Sequence, residues 1–289
     1  MSQDIIINGL INGSVYALLA IGFSLIFGVA RLVNIAHTAF SMTTAYLIYI
    51  GLHYWGMSAL LSVLMSILLT VIVGLVCYHL FIRPIREHES AVLIATIALA
   101  MVIQEIFLLG FGGHYLGVPP LATGFLVLGG VKVAQQHLLA LGVAVVALIA
   151  TWFLLYKTRV GLGIRCTAQD REVANLMGID VNREIMVALG ISVGLAAVAG
   201  AIVAPLSVID PHMWMHPLIM MLAIVVLGGL GSIKGSFIAS YILGFAEAVV
   251  VFAVPMGAFL KGPVALSIMI LALLIRPEGL FGVAFEEER

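Results

Sequence analysis

Long apolar runs separated by short polar segments cover almost the whole chain. They fall at about residues 5–28, 33–51, 57–82, 90–111, 137–156, 184–206, 217–230, 235–254 and 263–275. An α-helix needs ~20 apolar residues to cross the hydrocarbon core of a bilayer, and most of these runs approach or exceed that length. Helices are expected because lipid offers no water to the unpaired groups of an open sheet edge. The pattern predicts an all-α, polytopic integral membrane protein with about eight or nine transmembrane segments.

Two of the runs, 217–230 and 263–275, are too short for a full crossing. Residues that interrupt helices border them, namely Pro217, Gly228, Gly229, Gly231, Gly262 and Pro263. Short interrupted spans are typical of discontinuous helices beside a transport path. Small residues also recur at helical spacing, as Gly9 and Gly13, Gly190 and Gly194, and Gly231 and Gly235. We expect these glycines to let neighbouring helix backbones approach closely.

The distribution of basic residues predicts the orientation, because Lys and Arg collect in short cytoplasmic loops. If the N-terminus lies outside, only Lys132 and Lys261 of the thirteen basic residues fall outside. The C-terminus is then cytoplasmic. No Lys or Arg precedes the first apolar run, so that run is expected to remain as the first membrane helix.

Composition supports a membrane protein and argues against other classes. Apolar residues make up 63% of the 289 residues and charged residues 9%, against about 45–50% and about 25% in soluble domains. The spans leave no room for a sizeable soluble domain, so residues 1–289 are expected to form a single transmembrane domain. No basic stripe is present, and nucleic acid is not an expected partner. Cys77 and Cys166 lie far apart and are expected to be free thiols.

The polar segment 157–183 is the longest predicted cytoplasmic loop. We expect a short helix over about residues 168–177, with Thr167 as its N-cap and Gly178 as its left-handed C-terminal stop. Its apolar residues are too few for a membrane span but sufficient to place one helix face in a groove of a partner protein. The alternative is a solvated loop with basic anchors.

Polar side chains at membrane depth are costly and usually face a bundle interior or a cavity. The second apolar run begins with a cluster of them, comprising Asn34, His37, Thr38, Ser41, Thr43 and Thr44. Glu105 and Glu247 lie well inside later runs. These side chains could line a substrate path, or they could form hydrogen bonds between packed helices.

His212 and His216 have a spacing that could suit a metal ion, but Pro211 and Pro217 interrupt the helix that such a site would need. No metal site is expected. No catalytic site is expected either, because no motif places a nucleophile, a base and their partners together.

Four segments resemble one family, the branched-chain amino-acid ABC permeases of the LivH and LivM type. The run Gly163–Asp170, GIRCTAQD, followed by Ala174, Leu176, Met177, Gly178, Ile179 and Asp180, resembles its coupling-loop signature. Residues 8–46 resemble its N-terminal helix pair, including Val33-Asn34-Ile35-Ala36-His37, and residues 228–247 resemble its Gly-rich segment. Arg276–Gly282, RPEGLFG, resembles its closing motif. The matches follow in order and are closest to the LivH-type subunit. Thr38, where Gly is expected, and Lys234, where Pro is common, depart from the pattern.

The resemblance implies a permease of the bacterial inner membrane that imports branched-chain or related small amino acids. It would pair with a second, identical or homologous permease, bind two cytoplasmic ATPase subunits, and receive substrate from a periplasmic binding protein. The residues expected to contact the ATPase are Arg165, Ala168, Gln169, Asp170 and Gly178. Membrane lipid is the other expected partner.

ATP chemistry is expected on the partner subunits, together with its Mg²⁺, and no cofactor is expected in this chain. The sequence contains no G-x-x-x-x-G-K-[ST], the motif whose backbone surrounds phosphate groups. The nearest segment, Gly231–Gly235, has Ile before its Lys and is too short. A secondary transporter or channel driven by an ion gradient is the alternative that composition and interrupted helices also permit. A membrane enzyme is disfavoured.

Overall fold

The computed structural model describes residues 2–128, 131–276 and 278–281. Its α-helices are α1 (Ser2–Ala30), α2 (His37–His53), α3 (Ala59–Cys77), α4 (Glu89–Phe111), α5 (Gln135–Lys157), α6 (Arg159–Gln169), α7 (Arg171–Leu176), α8 (Val181–Val203), α9 (Met215–Gly228), α10 (Ile233–Ala253) and α11 (Lys261–Ile275). A π-helical turn, Tyr78–Ile82, and a 3₁₀ turn, Arg83–Ile85, continue α3, and another 3₁₀ turn, Gly257–Leu260, precedes α11. Strands β1 (Phe125–Leu128) and β2 (Val131–Ala134) form an antiparallel hairpin that pairs Phe125 with Ala134.

Each predicted apolar run coincides with a helix, and the chain is a multi-pass membrane protein. Within the described residues, α1, α3, α4, α5, α8 and α10 are long and apolar enough to cross a membrane. The prediction of short helices at the two Gly- and Pro-bordered runs is confirmed, since α9 has 14 residues and α11 has 15. At ~1.5 Å per residue they are shorter than the ~30 Å hydrocarbon core. The hairpin between α4 and α5 was not predicted.

Helix α1 is the centre of the bundle and packs against α8 and α10. Of its most apolar 18-residue window, 89% is buried, whereas the figure for α3 and α5 is 22%. The predicted close approach of helix backbones is confirmed at Gly13, because a Cβ on Gly244 of α10 would fall 2.6 Å from its Cα. It is wrong for Gly190 and Gly194, which have only side-chain carbons nearby, at 3.9 and 3.8 Å from the position of a Cβ. Hydroxyl pairs join α1 and α10, at 2.9 Å between Ser14 and Tyr241 and 2.6 Å between Ser24 and Ser236. Close packing and such hydrogen bonds hold membrane helices together where lipid weakens the hydrophobic effect.

Helix α3 lies at the periphery of the bundle. Its polar side faces the protein and its apolar side faces outward, the opposite of a helix in a soluble protein. Ser62, Ser66, Thr70 and Gly74 recur every fourth residue and are buried against the bundle. Leu64 and Leu68 point away from it and are exposed. Small polar residues therefore form the protein-facing side, and leucines face the lipid.

The Gly-rich segment and the closing motif contact each other. The backbone N–H groups of Leu280 and Phe281 donate to the carbonyl oxygens of Leu227 (2.8 Å) and Gly228 (3.1 Å) at the end of α9. The spacing of Gly231 from Gly235 predicted that both lie on one helix, but Gly231 lies before the start of α10. It has a φ of +80° in the turn before α10, where a glycine is needed to reverse the chain. Pro277, Gly282 and Arg289 lie outside the described residues.

Basic residues gather at one end of the bundle. Arg31, Arg83, Arg86, Arg171 and Arg183 line neighbouring cavities there, and we call this the basic end. The start of α1, the start of α5 and the start of α11, with Lys261, lie together at the opposite end. The sequence predicts that the basic end is cytoplasmic.

Candidate functional site

Two helices, and not one, occupy the polar segment between α5 and α8. Thr167 is a buried residue inside α6, and Thr158 caps that helix by accepting a hydrogen bond from the Gly161 N–H at 3.1 Å. Asp170 ends α6 and caps α7, since its Oδ1 accepts from the Val173 N–H at 3.0 Å. The predicted single helix over 168–177 is therefore wrong, because the Asp170 carboxylate competes for the backbone N–H groups that would continue α6. The predicted stop is confirmed, as Gly178 has a φ of +82°.

Helix α7 presents an apolar surface away from the bundle. Leu176 is 86% exposed and Met177 79%, and Val173 lies beside them at 50%. Ala174, on the opposite face, is buried. We call Val173, Leu176 and Met177 the α7 patch. An apolar patch of this kind on a polar segment marks a contact site for a partner or a membrane surface.

The five residues that the resemblance assigned to the ATPase contact surround the α6–α7 junction. Arg165, Gln169, Asp170 and Gly178 are exposed, and Ala168 is half-buried. The Arg165 guanidinium lies 5.1 Å from the centre of the Tyr156 ring, which is close enough for a cation–π interaction.

Arg171 links α7 to the central helix. Its Nε donates to the carbonyl oxygen of Val29, near the end of α1, at 2.9 Å. Burial lowers the pKa of the Arg171 guanidinium from its ordinary value, and the positive charges of Arg31 and Arg86 lower it further. All three line a cavity of about 450 Å³ at the basic end. The hydrogen bond of Arg171 therefore connects α7 directly to the end of α1.

A second cavity, of about 280 Å³, enters the bundle from the opposite end. We call it the polar cavity. Its polar lining includes Asn12, Tyr16, Ser41, His137, His216, Glu247 and Lys261, and its apolar lining includes Ile11, Val15, Leu19, Val203 and Leu206. The lining thus combines both signs of charge with an aliphatic wall.

Glu247 is the most buried charged group of this cavity, with 2% of its surface exposed. Its Oε2 accepts a hydrogen bond from the Tyr16 hydroxyl at 2.6 Å. Its Oε1 lies 3.0 Å from the Nζ of Lys261, whose side chain is 35% exposed. The carboxylate therefore joins α10 to both α1 and α11 and has a cationic partner at the cavity mouth.

The structure separates the residues that sequence analysis proposed for a substrate path. Ser41 and Glu247 line the polar cavity. Asn34, His37 and Thr38 are buried near the start of α2, where the His37 ring lies 3.4 Å from the Ser192 hydroxyl of α8. Thr44 bonds to Thr70 of α3 at 2.8 Å, which is an interhelical packing contact. Glu105 lies on an exposed face of α4, away from the cavity.

Sequence reasoning did not identify several cavity residues. His216, considered in the sequence only as a metal ligand together with His212, lies in the first turn of α9 and lines the cavity. His212 is 3.9 Å from Asp210. Tyr16 and Lys261 were not linked to Glu247. The available signal was a carboxylate within an apolar run, since such a group requires a partner.

The chain is similar in sequence to known permeases along almost all of its length. A family profile described as "Branched-chain amino acid transport system / permease component" matches residues 5–275. The high-affinity branched-chain amino acid transport system permease protein BraD of Pseudomonas aeruginosa is 31% identical, over 96% of this chain and 94% of that protein. The corresponding LivH of Escherichia coli is 28% identical, over 95% and 94%.

The fold is also similar to that of a solved structure. PsaBC from Streptococcus pneumoniae, in complex with a Fab, superposes with a TM-score of 0.55 at 15% identity, covering 94% of this chain and 91% of that one. At this identity the likeness concerns the fold alone.

Proposed function

Because this chain belongs to the branched-chain amino acid transport permease family, we propose that it is the membrane-spanning subunit of an ATP-driven importer. It would carry leucine, isoleucine, valine or related small amino acids across the bacterial inner membrane. A periplasmic binding protein would deliver the substrate at the end of the bundle that holds the polar cavity. A second permease, identical or homologous, would complete the membrane unit.

The observation that supports ATP coupling is the α7 patch. An apolar helix face is suited to a groove on another protein, and this one lies at the basic end, where the positive-inside rule predicts the cytoplasm. ATPase subunits that bind there would move α7 as they close and open. Arg171 would transmit that motion to α1, and the bundle would alternate between two states that open to opposite sides.

Affinity purification from the native membrane, with identification of co-purifying proteins by mass spectrometry, tests this proposal. We expect ATPase subunits with the unmodified protein and their loss in Leu176→Asp, because a buried charge without a partner destabilises an apolar contact. Asp170→Arg and Ala168→Trp should have the same effect at the junction.

Tyr115→Asp is the matched control. Tyr115 is 81% exposed, and it follows the end of α4 away from the basic end. Co-purification should survive this change. If no ATPase accompanies the unmodified protein under gentle extraction, a transporter driven by an ion gradient replaces the importer.

A further inference from the structure

The polar cavity contains a buried carboxylate, an ammonium group at its mouth and an aliphatic wall, all within one subunit. From this arrangement we infer that the cavity binds the transported amino acid in its zwitterionic form. Glu247 receives the ammonium of the ligand and Lys261 its carboxylate. The inference rests on the proposed function for the identity of the ligand, and it adds the site and its charged contacts.

Charge balance favours a mechanism in which the ligand separates Glu247 from Lys261 and pairs with both, rather than one in which the ligand binds beside the intact ion pair. Glu247 and Lys261 neutralise each other at 3.0 Å. Separating them without replacement would leave an unpaired carboxylate at membrane depth, which is costly. A zwitterion supplies one charge of each sign, so every charge remains paired when the two residues separate around it. A free amine or a free carboxylic acid leaves one of the two residues without a partner.

The surroundings of Glu247 hold its carboxylate in place during this exchange. The Tyr16 hydroxyl stays on Oε2, at 2.6 Å, while the ligand ammonium replaces Lys261 on Oε1. Lys261 is the partner that moves, because it lies at the start of α11 on a flexible four-carbon stem and is partly exposed. The Nε2 of His216 has no hydrogen-bond partner among the described residues, and it offers a further polar contact.

The size and the apolar wall of the cavity limit the ligand. A volume of about 280 Å³ lies just below the ~300–1,000 Å³ of sites for drug-sized molecules. Ile11, Val15, Leu19, Val203 and Leu206 provide a surface on which an aliphatic side chain is removed from water. A small amino acid with a branched aliphatic side chain fits this combination.

Binding of radiolabelled leucine to the purified protein in lipid nanodiscs tests the inference, with competition by two analogues. Isoamylamine lacks the carboxylate of leucine, and isocaproate lacks its ammonium. The unmodified protein should bind each analogue at least about tenfold more weakly than leucine, because each leaves a charged residue unpaired. Lys261→Met should abolish the discrimination against isoamylamine only, and Glu247→Gln the discrimination against isocaproate only.

The opposite effects expected of the two substitutions distinguish a ligand site from a structural contact. If Glu247 and Lys261 serve only to hold α10 and α11 together, both substitutions lower stability and the analogue ratios do not change, which overturns the inference. Asp210→Asn is the control, since it removes a charge from the same end and retains the oxygen that accepts from the His212 N–H at 2.8 Å. It should leave the ratios unchanged.

Uptake into proteoliposomes that contain the ATPase subunits and the second permease, with the binding protein added outside, distinguishes failure of the inference from failure of the proposed function. ATP-dependent leucine uptake with unchanged analogue ratios in the two variants would refute the site and leave the importer intact. Absence of uptake of every aliphatic amino acid would refute both.

Discussion

Gly200 allows α8 and α2 to pack with their backbones in contact. A Cβ at this position would collide with the carbonyl oxygen of Ser41, which belongs to the polar cavity. Backbone atoms cannot rotate away as side chains do, so the two helices would have to separate. Gly194, on the same helix, has only the Cγ2 of Val71 nearby, at 3.8 Å from the position of a Cβ.

Gly200→Ala should therefore destabilise the protein by about 1–3 kcal/mol, the usual cost of overpacking. Gly194→Ala should be neutral or stabilising, because alanine is the better helix former by up to ~1 kcal/mol. The midpoint of thermal unfolding in detergent, followed by fluorescence-detected size exclusion, measures both. Equal midpoints for the two variants would show that α2 and α8 are not in backbone contact.

At the same scale, sequence alone identified Glu247 and Ser41 as polar groups at membrane depth but not the residues that surround them. The pattern of apolar residues and the composition show that a carboxylate lies on an apolar helix. They do not show which helix packs beside it. Lys261 is close to Glu247 only because α10 and α11 turn back on each other, and Tyr16 is close because α1 is central.

Elements differ in how well their sequences predict them. The lengths of the apolar runs predicted the membrane helices, including the two short ones. The thickness of the hydrocarbon core fixes the length of a crossing, and a helix forms hydrogen bonds with all of its own backbone groups in lipid. The α6–α7 break could not be derived in the same way. Asp170 is compatible with an early helical position and with an N-cap, and the choice depends on the packing of Thr167 and Ala174 against the bundle.

The short helix α7 has two faces with separate roles in the proposed mechanism. The α7 patch would bind the ATPase, whereas Arg171 contacts α1. Arg171→Ala should keep the co-purifying ATPase subunits and lower the amount of amino acid transported per ATP severalfold, because the motion of α7 would no longer be applied to α1. Uptake and phosphate release measured on the same proteoliposomes give this ratio.

Glu172→Ala is the matched control, since Glu172 is the exposed neighbour of Arg171 on α7. Its transport-to-hydrolysis ratio should equal that of the unmodified protein. A normal ratio in Arg171→Ala would place the transmission contact elsewhere, and loss of the ATPase in that variant would place Arg171 in the docking surface.

For the whole molecule, the hydrophobic pattern predicted the class of fold but not which helices lie at the centre of the bundle and which at its periphery. Most of the apolar runs are long enough for a membrane helix, and hydrophobicity does not distinguish a helix buried in the bundle from one that faces lipid. Helix α3 has small and hydroxyl residues on one side, whereas α1 has them on two, with Gly22 facing α8 and Ser24 facing α10. Those contacts place α1 at the centre, where it links the α7 contact at one end to the polar cavity at the other.

This arrangement requires the two ends of the bundle to face opposite sides of the membrane. The basic end should face the cytoplasm, because Lys and Arg of short loops are retained on that side during insertion. His212 and Met177 are exposed at opposite ends of the bundle, so each can report on its side when replaced by cysteine. The background is Cys77→Ser with Cys166→Ser, since both native cysteines are free thiols.

In intact cells a membrane-impermeant maleimide should label His212→Cys and not Met177→Cys. Met177→Cys should become reactive in inside-out vesicles, where the α7 patch is accessible. Labelling of Met177→Cys in intact cells would invert the orientation, and an ATPase could then not reach α7. Labelling of both positions from one side would mean that α8, which separates Met177 from His212, does not cross the membrane. That result would exclude a path that runs from the polar cavity to the basic end.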